Sequence, residues 1–329
     1  MTNQPPIAAV PVHTDRSTWL IVFGVVEIIL GALCALMVPL MVLGQVIVSR
    51  VQNGPGQMPV QQVVSAAATY LLLAIFFIAV GYGSIRARRW ARALMLMFAW
   101  IWLICGILGL GFFCVMMPGI YETMAKQQGH PSTPEALAMM NVILFAILSV
   151  IYILMPGVFL LFYGSSHVKA TCEWKDPQTR WTDRCPLPVL GLSLMLACGT
   201  ALYPVTVIAY GGVFPFFGIV LSGLAGSVMI LLSSAIWGYL AWGLYKLRAN
   251  AWWGTIGMGV IYMISTIITF IHVDLFDFYR KMGLPERDLQ MLKNFNHLNS
   301  EMMVVMMIIS GLLYSGYLLF IKKYFRTGS

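Results

Sequence analysis

Long apolar runs alternate with tight clusters of basic residues along this chain, and that alternation leaves few folds open. Fourteen of the 20 Lys and Arg fall into five clusters: Arg16; Arg86, Arg88, Arg89 and Arg92; Lys169, Lys175, Arg180 and Arg184; Lys246 and Arg248; and Lys322, Lys323 and Arg326. Between the clusters lie eight apolar stretches, at 19–47, 64–85, 91–117, 138–163, 189–210, 216–245, 254–271 and 302–321. Each is long enough to cross a hydrocarbon core that needs about 20 helical residues. Basic residues near membrane spans stay on the cytoplasmic side, so residues 84–92, 165–186 and 245–253 and both termini are expected there. That side then carries 14 basic and 4 acidic groups and the outer side 6 basic and 7 acidic, with Glu27 between them. Trp90, Trp174, Trp181, Trp252 and Trp253 lie on the same inner side, where amphipathic rings suit the interface.

Composition excludes the alternatives. With 60% hydrophobic and 10% charged residues and a mean hydropathy of +0.83, the chain is too apolar for a soluble protein of 329 residues. The net charge of +8 does not indicate nucleic acid. Its asymmetry reads as an orientation signal with attraction to anionic headgroups on the cytoplasmic side. The first sixteen residues hold Pro5, Pro6 and Pro11 but no basic n-region, and the first apolar stretch exceeds a signal-peptide core. It reads as a retained span of a multi-pass plasma (inner) membrane protein.

An internal repeat divides the chain near residue 170. Thr14-Asp15-Arg16 returns as Thr182-Asp183-Arg184, in each case with Asp placed to cap the next helix. Pro39 matches Pro204, and Gly83-Ser84-Ile85-Arg86-Ala87-Arg88 resembles Gly243-Leu244-Tyr245-Lys246-Leu247-Arg248. Gly129-His130-Pro131 resembles Gly283-Leu284-Pro285, and Leu160-Leu161-Phe162 returns as Leu318-Leu319-Phe320. The matches keep one order at separations between 154 and 168 residues. An even number of spans per unit makes both units enter the membrane in the same direction, related by an axis along its normal. The expected fold is therefore an all-α integral membrane protein with eight transmembrane helices as two parallel-oriented four-helix repeats. Its parts are a cytoplasmic tail (1–18), a first repeat (19–165), a cytoplasmic linker (166–188), a second repeat (189–321) and a cytoplasmic C-terminal tail (322–329).

Glu27 is the one carboxylate deep in a span. A helix starting near Ser17 carries it inward by about 15 Å, near the middle of the core. Burial there favours the uncharged acid, and intramembrane ionisable groups mark proton or cation sites. The plainer alternative is a neutral Glu bonded to a Ser, a Tyr or a backbone carbonyl of a neighbouring helix. The repeat puts Leu192 or Met195 at the matching place. Pro39 and Pro204 each remove one helical hydrogen bond, freeing the carbonyls of Ala35 and Thr200. Such breaks coordinate ions in some transporters, but most are kinks whose freed groups find other partners.

Cysteines and histidines bring little chemistry. Cys34, Cys105, Cys114 and Cys198 lie within spans as small apolar groups. Cys172 and Cys185 share the linker with His167 as His-x4-Cys-x12-Cys, three ligand types suited to zinc, but without the two close pairs of a structural zinc site. No metal and no cofactor is expected. All five histidines lie in loops or at span ends, against an axial pair for a buried haem, and the outer group His272, Asp274 and Asp277 fits no specific ion site. Ser166-His167-Val168-Lys169 lacks the motifs that accompany a catalytic Ser-x-x-Lys, and Gly81-Tyr82-Gly83-Ser84 is followed by no Gly-Lys-Ser/Thr. The stretch from Pro285 to Phe295 reads as an amphipathic surface helix that covers helix ends. Small residues in spans 3, 6 and 7 mark tight helix contacts.

No enzymatic constellation emerges. Two functions stay open: a non-enzymatic accessory or scaffold subunit of a membrane assembly, using its faces to contact other subunits or a second copy, and a proton-linked transporter of a small, largely apolar solute using Glu27 and spans 1 and 5. A polar cavity reaching Glu27 favours transport; a dry, protonated Glu27 beside a flat apolar surface favours the accessory role.

Overall fold

The computed structural model describes residues 14–51, 60–127, 134–284, 286–293 and 300–325. The N-terminal prolines, Gly129-His130-Pro131, Pro285, His297 and Arg326 lie outside them. Among the described residues, eight helical segments are long and apolar enough to cross a membrane: Ser17–Ile47, Val63–Ile85, Arg89–Cys114, Met139–Gly164, Leu187–Ile208, Gly223–Tyr245, Ala249–His272 and Met302–Phe325. They lie in α1 (Ser17–Val51), α2 (Val60–Ile85), α3 (Arg89–Gln127), α4 (Pro134–Ser149) with α5 (Met155–Gly164), α7 (Leu187–Tyr210), α8 (Gly223–Tyr245), α9 (Ala249–His272) and α12 (Ser300–Ile321) with the 3₁₀ turn Lys322–Phe325 that follows it. A short helix, α6 (Ser166–Lys175), forms part of the linker, and α10 (Leu275–Lys281) and α11 (Glu286–Lys293) lie between α9 and α12.

The helices pack in two groups. In the first, α1 runs along α2, α2 meets α3, and α3 meets α4 and α5; in the second, α7 runs along α8, α8 meets α9, and α9 meets α12. The groups touch where α2 and α3 reach α7. Each group has its own buried cluster, one around Leu20, Ala91, Met95, Phe159, Tyr163 and Cys172, the other around Val189, Leu192, Leu244, Trp252, Leu318 and Ile321. Away from these clusters the helices expose large apolar side chains such as Ile29, Leu161 and Leu224, as suits helices whose solvent is lipid.

The turns that close the first hairpin of each group have the same geometry. After α2, the N–H of Ala87 donates to the carbonyl of Ser84 (2.9 Å) and that of Arg88 to Gly83 (2.9 Å). After α8, Leu247 donates to Leu244 (2.9 Å) and Arg248 to Gly243 (3.0 Å). This is the paired hydrogen bonding of a Schellman cap, which puts its C′ residue in the left-handed region. Ala87 has φ 49° and Leu247 φ 56°, positions where glycine is usual. Gly83 and Gly243 each lie so close to an alanine of the next helix, Ala91 and Ala251, that a Cβ on either would overlap it.

Three features depart from the expected succession of plain spans. Residues 214–221 form a two-stranded antiparallel hairpin, with strands Phe214–Phe216 and Ile219–Leu221, so the sixth span starts at Gly223 and not at 216. Phe and Ile are as apolar as a span but favour strands, and Phe217-Gly218, both at positive φ (40° and 94°), makes the tight turn. The hairpin docks on α9, where Ser265 Oγ accepts from Phe217 N (3.0 Å) and Thr269 Oγ1 from Gly218 N (3.1 Å). The fourth span carries a π turn at Val150–Leu154, and Gly106 of α3 lies against the carbonyl of Tyr152 there, where a side chain would collide. Finally, α10 was not legible as a separate helix; Asp274 caps it by accepting from Phe276 N (3.4 Å).

Candidate functional site

Gly24, Glu27 and Gly31 are spaced i, i+3 and i+7, which puts them on one face of α1. That face meets α2 closely: a Cβ on Gly24 would stand 2.7 Å from the carbonyl oxygen of Gly81, and one on Gly81 would stand 2.6 Å from that of Gly24. Glu27 lies on the same face and has 0% of its surface exposed.

The carboxyl group finds hydroxyls instead. Tyr163 Oη is 2.7 Å from Glu27 Oε1 and 2.9 Å from Ser84 Oγ, while Glu27 Oε2 has no hydrogen-bond partner among the described residues. One phenolic hydrogen serves only one of the two contacts. The chain therefore runs either from Ser84 through Tyr163 to an ionised Glu27, or from a protonated Glu27 through Tyr163 to Ser84. Phe23, four residues before Glu27 in α1, packs on the rings beside Tyr163. Its ring stacks on Phe162 (3.8 Å between centroids) and meets Phe159 (5.6 Å) and Tyr163 (6.1 Å) edge-on. The arrangement can hold one proton in a buried site.

Its level in the bundle differs from expectation. Ser84 and Tyr163 are each the last residue but one of their helices, so Glu27 is level with the final turns of α2 and α5 and not with the middle of the bundle. The helix of Glu27 does begin at Ser17, but its start is staggered past the ends of its neighbours. The N–H of Arg16 donates to Thr171 Oγ1 of α6 (3.2 Å), so the first turns of α1 run beside the linker. A helical side chain also leans toward its own N-terminus, which brings the carboxyl closer still to that end.

The other residues singled out from sequence do not gather here. Helices α1 and α7 continue through Pro39 and Pro204. At Pro204 the freed carbonyl of Thr200 accepts from Ser234 Oγ of α8 (2.9 Å), so that break has a partner within the fold. Cys172 packs in the first buried cluster and Cys185 in the second, and among the described residues no three His, Cys, Asp or Glu converge on a metal position. Burial pushes the thiol of Cys172 up to about 11, with the Arg92 guanidinium opposing it, and that of Cys185 to about 11 as well. Neither is poised as a thiolate ligand.

The linker has an order that its sequence did not announce. Asp176, 2% exposed, accepts from Arg180 Nη2 (2.6 Å) and Nε (3.0 Å), lies 3.4 Å from Arg88 Nη1, and accepts from the backbone N–H of Arg89 (3.4 Å). Arg89 in turn pairs with Glu173 (3.2 Å) and Asp183 (3.6 Å). The hydrogen bond from Arg180 holds the Asp176 carboxyl below its ordinary range, against the opposing effect of burial, with Arg89 and Arg88 assisting. Asp183 also accepts from the N–H of Arg180 (2.9 Å), closing a 3₁₀ turn at Trp181–Arg184, whereas its counterpart Asp15 accepts from the N–H of Ser17 (2.9 Å) at the start of α1. A Tyr and a Ser of neighbouring helices are the bonding types expected for Glu27, and the structure has Tyr163 and Ser84 there, but the sequence reading singles out neither these two nor Asp176 by position. Ser84 and Tyr163 do lie in or beside repeated segments, which is the one signal that could have singled them out.

Eight candidate spans and two buried clusters define a multi-pass helical membrane protein. Comparison of the chain with protein-family models, curated proteins and solved structures finds no match.

Proposed function

We propose that this chain is a non-catalytic multi-pass subunit of an inner-membrane assembly, built from two parallel four-span repeats with both termini and the linker on the cytoplasmic side. One observation carries the reading. Glu27, the one carboxylate within the eight candidate spans, has no exposed surface and is held by the Tyr163 hydroxyl. A solute-handling site needs a cavity that reaches its ionisable group. The large apolar faces left exposed by α1, α4 and α12 offer contact area for lipid, partner subunits or a second copy.

The duplication is supported by more than sequence. The α2–α3 and α8–α9 turns share their hydrogen bonds, their left-handed residue and their Gly-to-Ala contact, each 160 residues apart. Cytoplasmic placement rests on the basic clusters and on the tryptophans at the same helix ends. Labelling the single-cysteine variant Lys175→Cys in intact cells tests it; modification by an impermeant reagent would reverse the topology.

Native mass spectrometry after extraction in mild detergent tests the subunit reading. A complex of fixed stoichiometry with other membrane chains is expected, and it should survive Glu27→Gln. A lone chain of 36.6 kDa, together with solute uptake in proteoliposomes that Glu27→Gln abolishes, would replace this reading with proton-linked transport. The unpartnered Glu27 Oε2 and its Tyr163–Ser84 chain favour that second reading, since an open acceptor beside two hydroxyls can take and release a proton.

A further inference from the structure

The two helix groups meet through one contact, and the contact that duplication pairs with it is not made. Helix α7, the first of the second group, lies on α2 and α3 of the first. Met97 of α3 is buried in one cluster with Val189 and Leu190 of α7, and a Cβ on Gly191 would stand 3.6 Å from its sulfur. At the helix starts, Arg89 pairs with Asp183 (3.6 Å). The counterpart would set α1 on α8 and α9. Among the described residues no contact of comparable extent exists there, since α1 packs on α2 and α6. A two-fold arrangement makes both contacts at once, so this one is head-to-tail.

Both sides of the unmade contact are open. Gly257, 160 residues after Met97, is exposed, and a Cβ there would have nothing from the rest of the described fold within 4 Å. One turn earlier, Trp253 is 62% exposed where Ala93, the matching residue of α3, is 6% exposed. The first turns of α1, which correspond to the part of α7 that holds Gly191, expose Ile21, Val22, Val25 and Val26. Met97 over Gly191 sets a large side chain against a glycine, and these valines with Gly257 offer the same complement with the roles exchanged. The charges correspond as well. Asp15 matches Asp183, Arg248 adjoins Ala249, the copy of Arg89, and both Asp15 and Arg248 are exposed.

We propose that a second copy of this chain fills the open contact, its α1 lying on α8 and α9 as α7 lies on α2 and α3 within one chain. The occupant follows from the interface already present. A head-to-tail contact used once within a duplicated chain leaves one free surface of each kind, and the two complement each other as the used pair does. Asp15 of one copy then comes to the Arg248 end of the next. Parallel repeats keep both copies in the same orientation across the membrane, and repeated contacts of this kind close into a ring when the rotation per repeat divides a full turn. The proposal deepens the subunit reading by naming one partner, and it rests on the duplication.

The experiment coexpresses two differently tagged full-length chains, one with Val22→Cys or Val26→Cys and the other with Gly257→Cys, and treats the membranes with a short thiol crosslinker. A product carrying both tags is expected from at least one pair, with the linked peptides identified by mass spectrometry against the background of the natural cysteines. Leu161→Cys with Gly257→Cys should give none, since Leu161 is equally open to lipid at 81% exposure but lies on α5. Met97→Cys with Gly191→Cys in one chain should link within that chain and so reports the fold independently. Gly257→Leu should leave the melting midpoint unchanged and lower the recovery of one tag with the other about tenfold. Undiminished recovery in that variant, or equal linking in the Leu161 control, would overturn the site. Failure of the Met97–Gly191 link would overturn the contact it copies. If that link forms and neither valine pair does, lipid or another chain covers the face and the second copy is overturned, while the subunit reading stands or falls on the other chains found by native mass spectrometry.

Discussion

Ser84 and Leu244 each follow a glycine that packs against the next helix, yet one faces a carboxyl group and the other sits among hydrocarbon. Around Ser84, Tyr163 and Glu27 complete a buried polar group at the end of α2. Around Leu244, Leu192 and Ile321 belong to one buried cluster with it, at the separations of 165, 160 and 158 residues that the sequence matches give. Both clusters are closed and buried. If the two groups are copies, as proposed, and Leu192 rather than Met195 matches Glu27, then Leu, Leu and Ile fill the place of the polar trio and the fold does not demand it. Burying a carboxyl and two hydroxyls costs desolvation that hydrocarbon avoids, and such groups persist where they specify a contact or hold a proton. The linker repeats the contrast in exposed form: the basic end of the first group is clamped by Asp176, and that of the second is left open.

The comparison can be broken at several points. The largest effect is expected for Leu192→Glu, which places a carboxyl among apolar neighbours without a Tyr163 or a Ser84 to receive it. It should cost several kcal/mol and prevent a monodisperse product; a well-folded variant would show that the second cluster is not dry. Gly24→Val comes next, since its side chain meets the backbone of Gly81, and a loss of about 1–3 kcal/mol is expected in detergent melting. Gly191→Val should be much milder, because only the flexible Met97 side chain is near, at 3.6 Å. Equal losses would mean that α1 and α7 pack alike.

Tyr163→Phe should cost about 1–3 kcal/mol by stranding Glu27 without its hydroxyl, and an unchanged melting midpoint would assign the stability to the aromatic packing alone. Acid should act on the linker. Asp176 has its carboxyl held below the ordinary value of 3.8, so its stabilisation is present above that pH and is lost as pH falls through the lowered value. Trypsin cleavage in the linker should therefore rise below about pH 3.8 after brief acid exposure under crosslinking, while Asp176→Asn should be cleaved readily at pH 7 already. Insensitivity of the variant would remove Asp176 from the clamp. The smallest effect is expected for the exchange of the whole trio, Glu27→Leu with Ser84→Leu and Tyr163→Ile. It should shift stability by no more than about 1.5 kcal/mol, and a collapse of the fold would show that the first group needs its polar contacts.

Much of the span pattern was legible because twenty apolar residues in a row admit one solution in lipid, and Arg86 to Arg92 or Lys322 and Lys323 mark the ends. The hairpin at 214–221 was not, since its Phe and Ile score as a span by hydropathy and only the turn at Phe217-Gly218 sets them apart. The π turn at Val150–Leu154 was hidden for a similar reason: its residues are ordinary helix formers, and the close approach of Gly106 is a property of the pair. At the candidate site, Glu27 stood out as a lone acid, but its level did not. Depth counted along one helix takes no account of how that helix is staggered against its neighbours.

By itself, the sequence determined that the chain lives in lipid, how many times it can cross, and which of its residues are out of place there, because hydropathy and charge act locally on each segment. Only the tertiary structure decided what Glu27 touches and which basic cluster is neutralised. Those outcomes depend on the register between helices far apart in the chain, where a Tyr163 hydroxyl 136 residues from Glu27, or an Asp176 carboxylate 88 residues from Arg88, arrives within hydrogen-bonding distance.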